Sequence, residues 1–139
     1  MNISEFEESK LIPIDLAGPP PKIRFEITRF IRDTKKTHEL KNIYENKCQM
    51  CHYQIIKPNN EYYSEVHHIW SLGKKPIGGD DNFENMIVLC PTHHAEFDYN
   101  VIKISKNGEN IIDKDGTTIS KLFFRGGHKI AEKNINQQF

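Results

Sequence analysis

The chain has 139 residues, 37% of them hydrophobic, and its 19 basic and 19 acidic side chains cancel. That suits one domain with a modest core, for which a metal staple would help, and no apolar run approaches the roughly 20 residues of a membrane helix. Met1 to Lys10 is acidic without an apolar core, so no secretory signal is expected. Three cysteines are too few for a disulfide framework, which makes a reducing, cytoplasmic setting the expectation.

Residues 1–22 read as an arm, because Ile12-Pro13-Ile14 and Pro19-Pro20-Pro21 exclude helix and favour extended backbone. Ile23 to Phe30 alternates apolar with polar, the period of a half-buried strand. Asp33 or Thr34 is placed to cap a helix through about Glu45, with Leu40, Ile43 and Tyr44 on one face. Pro58-Asn59-Asn60 marks a turn, and Tyr62 to Ile69 reads as a strand. Ser71 to Glu84, with Gly73, Pro76, Gly78 and Gly79, is a long loop, of the kind that is usually functional or mobile. Met86 to Leu89 is a short buried strand, and Pro91 opens a helix from Thr92 to about Asn100. Val101–Ser105 and Glu109–Asp113 around Asn107-Gly108 form a hairpin. Asp113-Lys114-Asp115-Gly116 resembles a calcium loop but lacks the later glutamate, and reads as a turn. The tail from Leu122 to Phe139 has no clear pattern. The division is an arm over 1–28, a core over 29–100 and a hairpin with tail over 101–139.

Cys48-x-x-Cys51 and Cys90-x-x-His93 are two matched pairs of ligand-type residues. Four such donors close a tetrahedron with no open position, the way structural zinc is held. His52 competes for the fourth place, but choosing it leaves the Cys90 knuckle incomplete, so His93 is preferred. The alternative is a set of buried thiols with unrelated histidines.

A second group is interleaved with the first. His67 and His68 stand at the end of the expected strand, with Glu65 before them. Asn85 follows His68 by 17 residues. His94 and Asp98, four apart, share one face of the last helix. Adjacent residues on a strand ordinarily point to opposite faces, so one of the two histidines could be a bland core or surface residue.

Charge is distributed unevenly. Residues 21–50 carry eight Lys/Arg against four acids, 51–100 three against seven, and 101–139 seven against four. An acidic segment between basic flanks fits phosphate bound around a cation, and fits a solvated surface equally well. Lys74 and Lys75 in the loop are open to the same two readings.

In this order, Cys48-x-x-Cys51, Glu65-Val66-His67-His68-Ile69, Glu84-Asn85-Met86 and Cys90-Pro91-Thr92-His93-His94 with Asp98 resemble the HNH nucleases. The match covers roughly residues 29–99. The histidine pair after Cys90, with Arg32-Asp33-Thr34 and Leu40-Lys41 upstream, is similar to HNH domains of some bacterial restriction enzymes, including ones fused to modified-base readers. The resemblance implies an α+β fold: a ββα-metal core with structural zinc, an N-terminal extended arm and helix, and a C-terminal hairpin. It implies an endonuclease acting on DNA, with zinc as the structural ion and a divalent catalytic ion.

Phosphodiester hydrolysis needs a positioned base, a Lewis acid and a group that fixes the base. The resemblance assigns His68 as the base and Asn85 as the residue that orients it through backbone or side chain. It assigns His67 and His94 as metal ligands and Glu65 as the acid that buttresses them. Asp98 stands where many members have a further histidine, and it shifts the preference toward Mg²⁺ or Mn²⁺.

A non-catalytic, zinc-stabilised nucleic-acid-binding module is the rival, and His68 together with Asn85 argues against it. A secreted toxin nuclease with an immunity partner has little support without an export signal. No membrane partner is expected. A homodimer, or a separate specificity domain or subunit, stays open.

Overall fold

Thr37, Leu40 and Tyr44 succeed one another at spacings of three and four, and all three are buried. That stripe is the packed face of helix α1 (Lys35–Ile43). The helix stops where Glu45 and Asn46 take left-handed backbone (φ 55° and 58°), which a right-handed helix does not continue. The structure is a computed structural model and describes residues 35–73 and 77–139. The arm, the strand over 23–30, the cap at Asp33 or Thr34 and the lysines Lys74 and Lys75 lie outside the described residues.

A two-stranded ribbon, β1 (Ile55–Ile56) and β2 (Tyr62–Tyr63), precedes the central hairpin of β3 (Glu65–His68) and β4 (Met86–Leu89). The single strand expected from Tyr62 to Ile69 is therefore broken at Ser64. That residue is buried, with its hydroxyl donating to Asn46 Oδ1 (2.6 Å) instead of facing a partner strand. β3 and β4 are antiparallel, with Glu65 opposite Leu89, His67 opposite Ile87 and His68 opposite Met86.

All four residues of β4 are fully buried because both faces are covered. Ile87 and Leu89 join Phe97 of helix α2 (Pro91–Asp98) in the larger core cluster. Met86 and Val88 join Leu40 and Tyr44 on the other face. Each such side chain contributes about 1.5–3 kcal/mol of burial. Strand alternation thus sends Glu65 and His67 toward α2, and Val66 toward α1.

After α2 the chain turns at Asn100 (φ 60°) into a three-stranded meander. Its strands are β5 (Ile102–Ile104), β6 (Asn110–Asp113) and β7 (Thr118–Lys121). The hairpin around Asn107-Gly108 is present, and Asp113 Oδ1 accepts from the Asp115 and Thr117 amides as a turn. The tail is ordered by helix α3 (Glu132–Asn136) and by Gln138, whose amide pairs with both Ile104 N–H (2.9 Å) and Ile104 O (3.0 Å). Ile102, Ile104, Ile111, Leu122 and Ile135 share the core cluster of Ile87 and Phe97.

Candidate active site

Helix α2 serves two donor groups, His93 for one and His94 with Asp98 for the other. In the first, Cys48, Cys51, Cys90 and His93 have ligand atoms all within 4.8 Å of one another. His93 Nδ1 stands 3.5 Å from Cys48 Sγ and 3.3 Å from Cys90 Sγ, and Cys51 Sγ is 4.0 Å from Cys90 Sγ. Zinc holds thiolate at about 2.3 Å and imidazole at about 2.0 Å, so tetrahedral neighbours stand about 3.5 to 3.8 Å apart. The four donors fit a metal such as zinc. Desolvation pushes the Cys51 thiol up to about 12 and raises Cys90 as well, with the Cys48 sulfur adding to both. A cation among the donors would favour the thiolate form of Cys51 and Cys90 against that burial.

Gln49, fully buried inside this knuckle, ties it to the rest of the fold. Its side chain accepts from Val88 N–H (2.8 Å) and donates to Phe123 O (2.8 Å). Its backbone pairs with the same two residues. His52 lies apart from the four donors, in left-handed backbone (φ 65°), its ring 4.4 Å from that of Phe123.

The second group is His67, His94 and Asp98, whose donor atoms also lie within 4.8 Å of one another. His67 Nδ1 is 3.6 Å from Asp98 Oδ1, and His94 Nε2 is 3.7 Å from Asp98 Oδ2. Glu65 comes from β3, and its Oε1 sits 2.7 Å from His94 Nδ1. An ionised carboxylate only accepts, so His94 carries its proton on Nδ1 and turns its Nε2 lone pair toward Asp98 and His67. The His67 ring stacks on Phe97 at 4.8 Å between centroids. Burial there pushes the His67 imidazole below its ordinary value, keeping it neutral, the form that binds metal. Asp98 is the exposed corner of the triangle.

His68 lies outside that triangle, as strand alternation requires. Its Nε2 is 3.0 Å from Asp81 Oδ1, on the loop between β3 and β4. Asn85 ends a 3-10 turn, Phe83–Asn85, just before β4. The reason lies in its side chain, which continues the ladder past His68. Asn85 Oδ1 accepts from Trp70 N–H (2.8 Å), and its Nδ2 donates to Trp70 O (2.8 Å) and Asp80 O (2.9 Å). Its backbone carbonyl accepts from Ile69 N–H (3.0 Å). Asn85 therefore fixes the loop, and Asp81 is what the loop brings to His68. Sequence reasoning missed Asp81; the only signal for it is the acidic pair Asp80-Asp81 directly after Gly78-Gly79.

Beside His67 and Asp98 opens a cleft of about 580 Å³, lined also by Trp70, Ser71, Asn100 and Lys103. It has the size of a small-ligand site.

Residues 48–96 match the family described as HNH endonuclease. That segment is an HNH domain. Among solved structures the chain is similar to a "Modification dependent TagI restriction endonuclease", at 30% identity and a TM-score of 0.64. The likeness covers 72% of this chain and 34% of that one, so this chain spans about a third of the length of that enzyme. No curated protein matches. The α+β arrangement, with the β3–β4 hairpin and α2 contributing to both donor groups, is consistent with the HNH fold. Among the described residues no helix is long and apolar enough to cross a membrane.

Proposed function

We propose that this chain is a metal-dependent endonuclease that hydrolyses DNA phosphodiester bonds in restriction or defence, in the cytoplasm. The observation that carries the reading is the triangle of His67, His94 and Asp98, with the lone pair of His94 aimed inward by Glu65. These three hold Mg²⁺ or Mn²⁺, the carboxylate favouring a hard ion over an all-imidazole preference. A divalent ion there supplies positive charge against the scissile phosphate and its leaving oxygen.

The remaining steps belong to side chains. His68 removes a proton from water as the water oxygen bonds to phosphorus and the P–O ester bond breaks, the leaving oxygen keeping the bonding pair and then taking a proton from solvent. Asn85 keeps the β3–β4 loop against the end of β3, where the base stands. Glu65 holds His94 in its ligating tautomer. Cys48, Cys51, Cys90 and His93 hold zinc, which joins the helix exit after α1 to the start of α2 and does no chemistry. A module that only binds DNA needs neither an inward-aimed ligand set nor a histidine with its own carboxylate, so the catalytic reading is favoured.

The test is plasmid cleavage by protein that is chelator-treated and then given single metals. Cleavage restored by Mg²⁺ or Mn²⁺, while zinc stays bound, supports the assignment. Cleavage unchanged by complete removal of the exchangeable metal overturns it.

A further inference from the structure

A histidine acts as a base only through the nitrogen that lacks a proton, so its other nitrogen must be held by an acceptor. His68 Nε2 has such an acceptor in Asp81 Oδ1 at 3.0 Å. With the carboxylate ionised, the proton sits on Nε2 and the lone pair on Nδ1.

Asp81 is itself held from several directions. Lys36 of α1 donates to the Asp81 carbonyl (2.9 Å). Asn85 Nδ2 donates to the carbonyl of Asp80 (2.9 Å), and Lys133 of α3 pairs with the Asp80 carboxylate (3.3 Å). One residue earlier, Gly79 N–H donates to Ser71 O (2.8 Å). A Cβ at Gly79 would lie 2.3 Å from Trp70 O and 2.8 Å from Asn85 Nδ2, so the loop leaves no room for a larger residue. Backbone and both helices thus converge on the two residues that present one carboxylate to one imidazole.

We propose that Asp81 is the positioning residue of the base. It fixes the His68 tautomer and ring direction, and it stabilises the imidazolium that forms when Nδ1 takes the proton from water. Asn85 acts one step further back, by holding the loop that carries Asp81. This rests on the reading of His68 as the base in a nuclease.

The experiment uses the zinc-loaded full chain in five forms: wild type, Asp81→Asn, Asp81→Glu, His68→Ala and the double variant His68→Ala with Asp81→Asn. Plasmid cleavage is measured with Mg²⁺ or Mn²⁺. Asp81→Asn keeps the side chain's shape and removes the obligate acceptor, so kcat falls about 10- to 100-fold. KM for DNA stays within about twofold, as expected for an interaction made in the chemical step. Asp81→Glu recovers part of the loss. His68→Ala combined with Asp81→Asn is no slower than His68→Ala alone, because the two residues act as a unit.

Long-range ¹H–¹⁵N spectra of labelled histidines give an activity-independent readout. His68 is expected as the Nε2–H tautomer in wild type, and that population falls in Asp81→Asn. Wild-type kcat in Asp81→Asn, or an Nδ1–H tautomer of His68 in wild type, overturns the proposal. If His68→Ala cleaves as wild type does, the assignment of the base is what fails. The spectra still decide whether Asp81 holds the ring. Should Asp81→Asn not fold, the wild-type spectrum and the Asp81→Glu kinetics carry the test.

Discussion

The position of one proton separates a ligand from a bystander in this site. In the proposed site His94 would offer Nε2 to an ion because Nδ1–H is bound to Glu65 at 2.7 Å, with both side chains mostly shielded from water (9% and 13% exposed). Glutamine at position 65 can still accept from Nδ1–H, but without the charge that strengthens the imidazole as a donor to metal. Loss of such outer partners typically costs about 10- to 100-fold in metal affinity. Glu65→Gln is therefore expected near the lower end, about tenfold weaker for Mn²⁺, with zinc content and fold retained. Titration calorimetry of zinc-loaded protein measures this, and an unchanged affinity would mean that the Glu65 charge does not strengthen His94 as a ligand. At this scale much of the site was legible. Glu65, His67, His94 and Asp98 lie on regular elements, where alternation and i,i+4 spacing decide which side chains meet. Asp81 was not, because it meets His68 from 13 positions along the chain, and no local pattern encodes that approach.

Elements are joined here by polar side chains as much as by apolar ones. The cluster of Cys48, Cys51, Cys90 and His93 links the exit of α1 to the start of α2, and the folding energy of a structural zinc site is the binding energy of its metal. One tightly held zinc per chain is expected, and Cys48→Ser should give protein that loses zinc and unfolds or aggregates. Elemental analysis with circular dichroism checks this; folded, soluble protein without zinc would contradict it. A second link runs through His128, whose Nε2–H donates to Phe83 O (2.8 Å) while Nδ1 accepts from Tyr44 Oη (2.6 Å). Burial pushes the Tyr44 phenol up to about 12, so it remains a donor, and burial lowers the His128 imidazole below its ordinary 6.5. The unfolded chain then binds this proton more readily than the folded one. Stability from this link is whole above about pH 6.5 and is lost as pH falls from there through the lowered folded value, by at most about 1.4 kcal/mol per pH unit. His128→Gln keeps a donor and an acceptor but does not titrate. Its urea midpoint should fall less than that of wild type between about pH 7 and pH 5, and parallel losses would remove His128 as the cause. Strand β7 and helix α3 escaped sequence analysis for a shared reason. β7 has three exposed residues of four and shows no apolar alternation, being held by backbone pairing to β6. α3 has five residues and is anchored by Ile135 and by Asn134, whose amide donates to Glu84 O (2.9 Å).

At the scale of the whole molecule, the described residues hold one His68–Asp81 pair and one His67–His94–Asp98 triangle, and on the proposed function one such site cuts one phosphodiester at a time. The two strands of a duplex run antiparallel, so a second cut needs a second site related by roughly twofold symmetry, or a second visit. Affinity bears on which of these happens. Net charge is zero, and the donor-bearing stretch 51–100 has four more acids than bases. Few phosphate contacts are then available from charge alone, and non-specific DNA affinity scales with those contacts and falls steeply with salt. A weakly held chain leaves DNA after one cut more often than it stays for a second. The protein is accordingly expected to nick supercoiled plasmid at low concentration and to linearise it with a steeper than first-order dependence on protein. Raising salt should suppress the linear product before the nicked one, because two bound copies lose affinity twice over. Gel quantitation over a protein and salt series, with the DNA-bound stoichiometry from ultracentrifugation, decides the matter. Linear DNA formed without a nicked intermediate by a chain that is monomeric on DNA would show that one protomer reaches both strands within a single encounter.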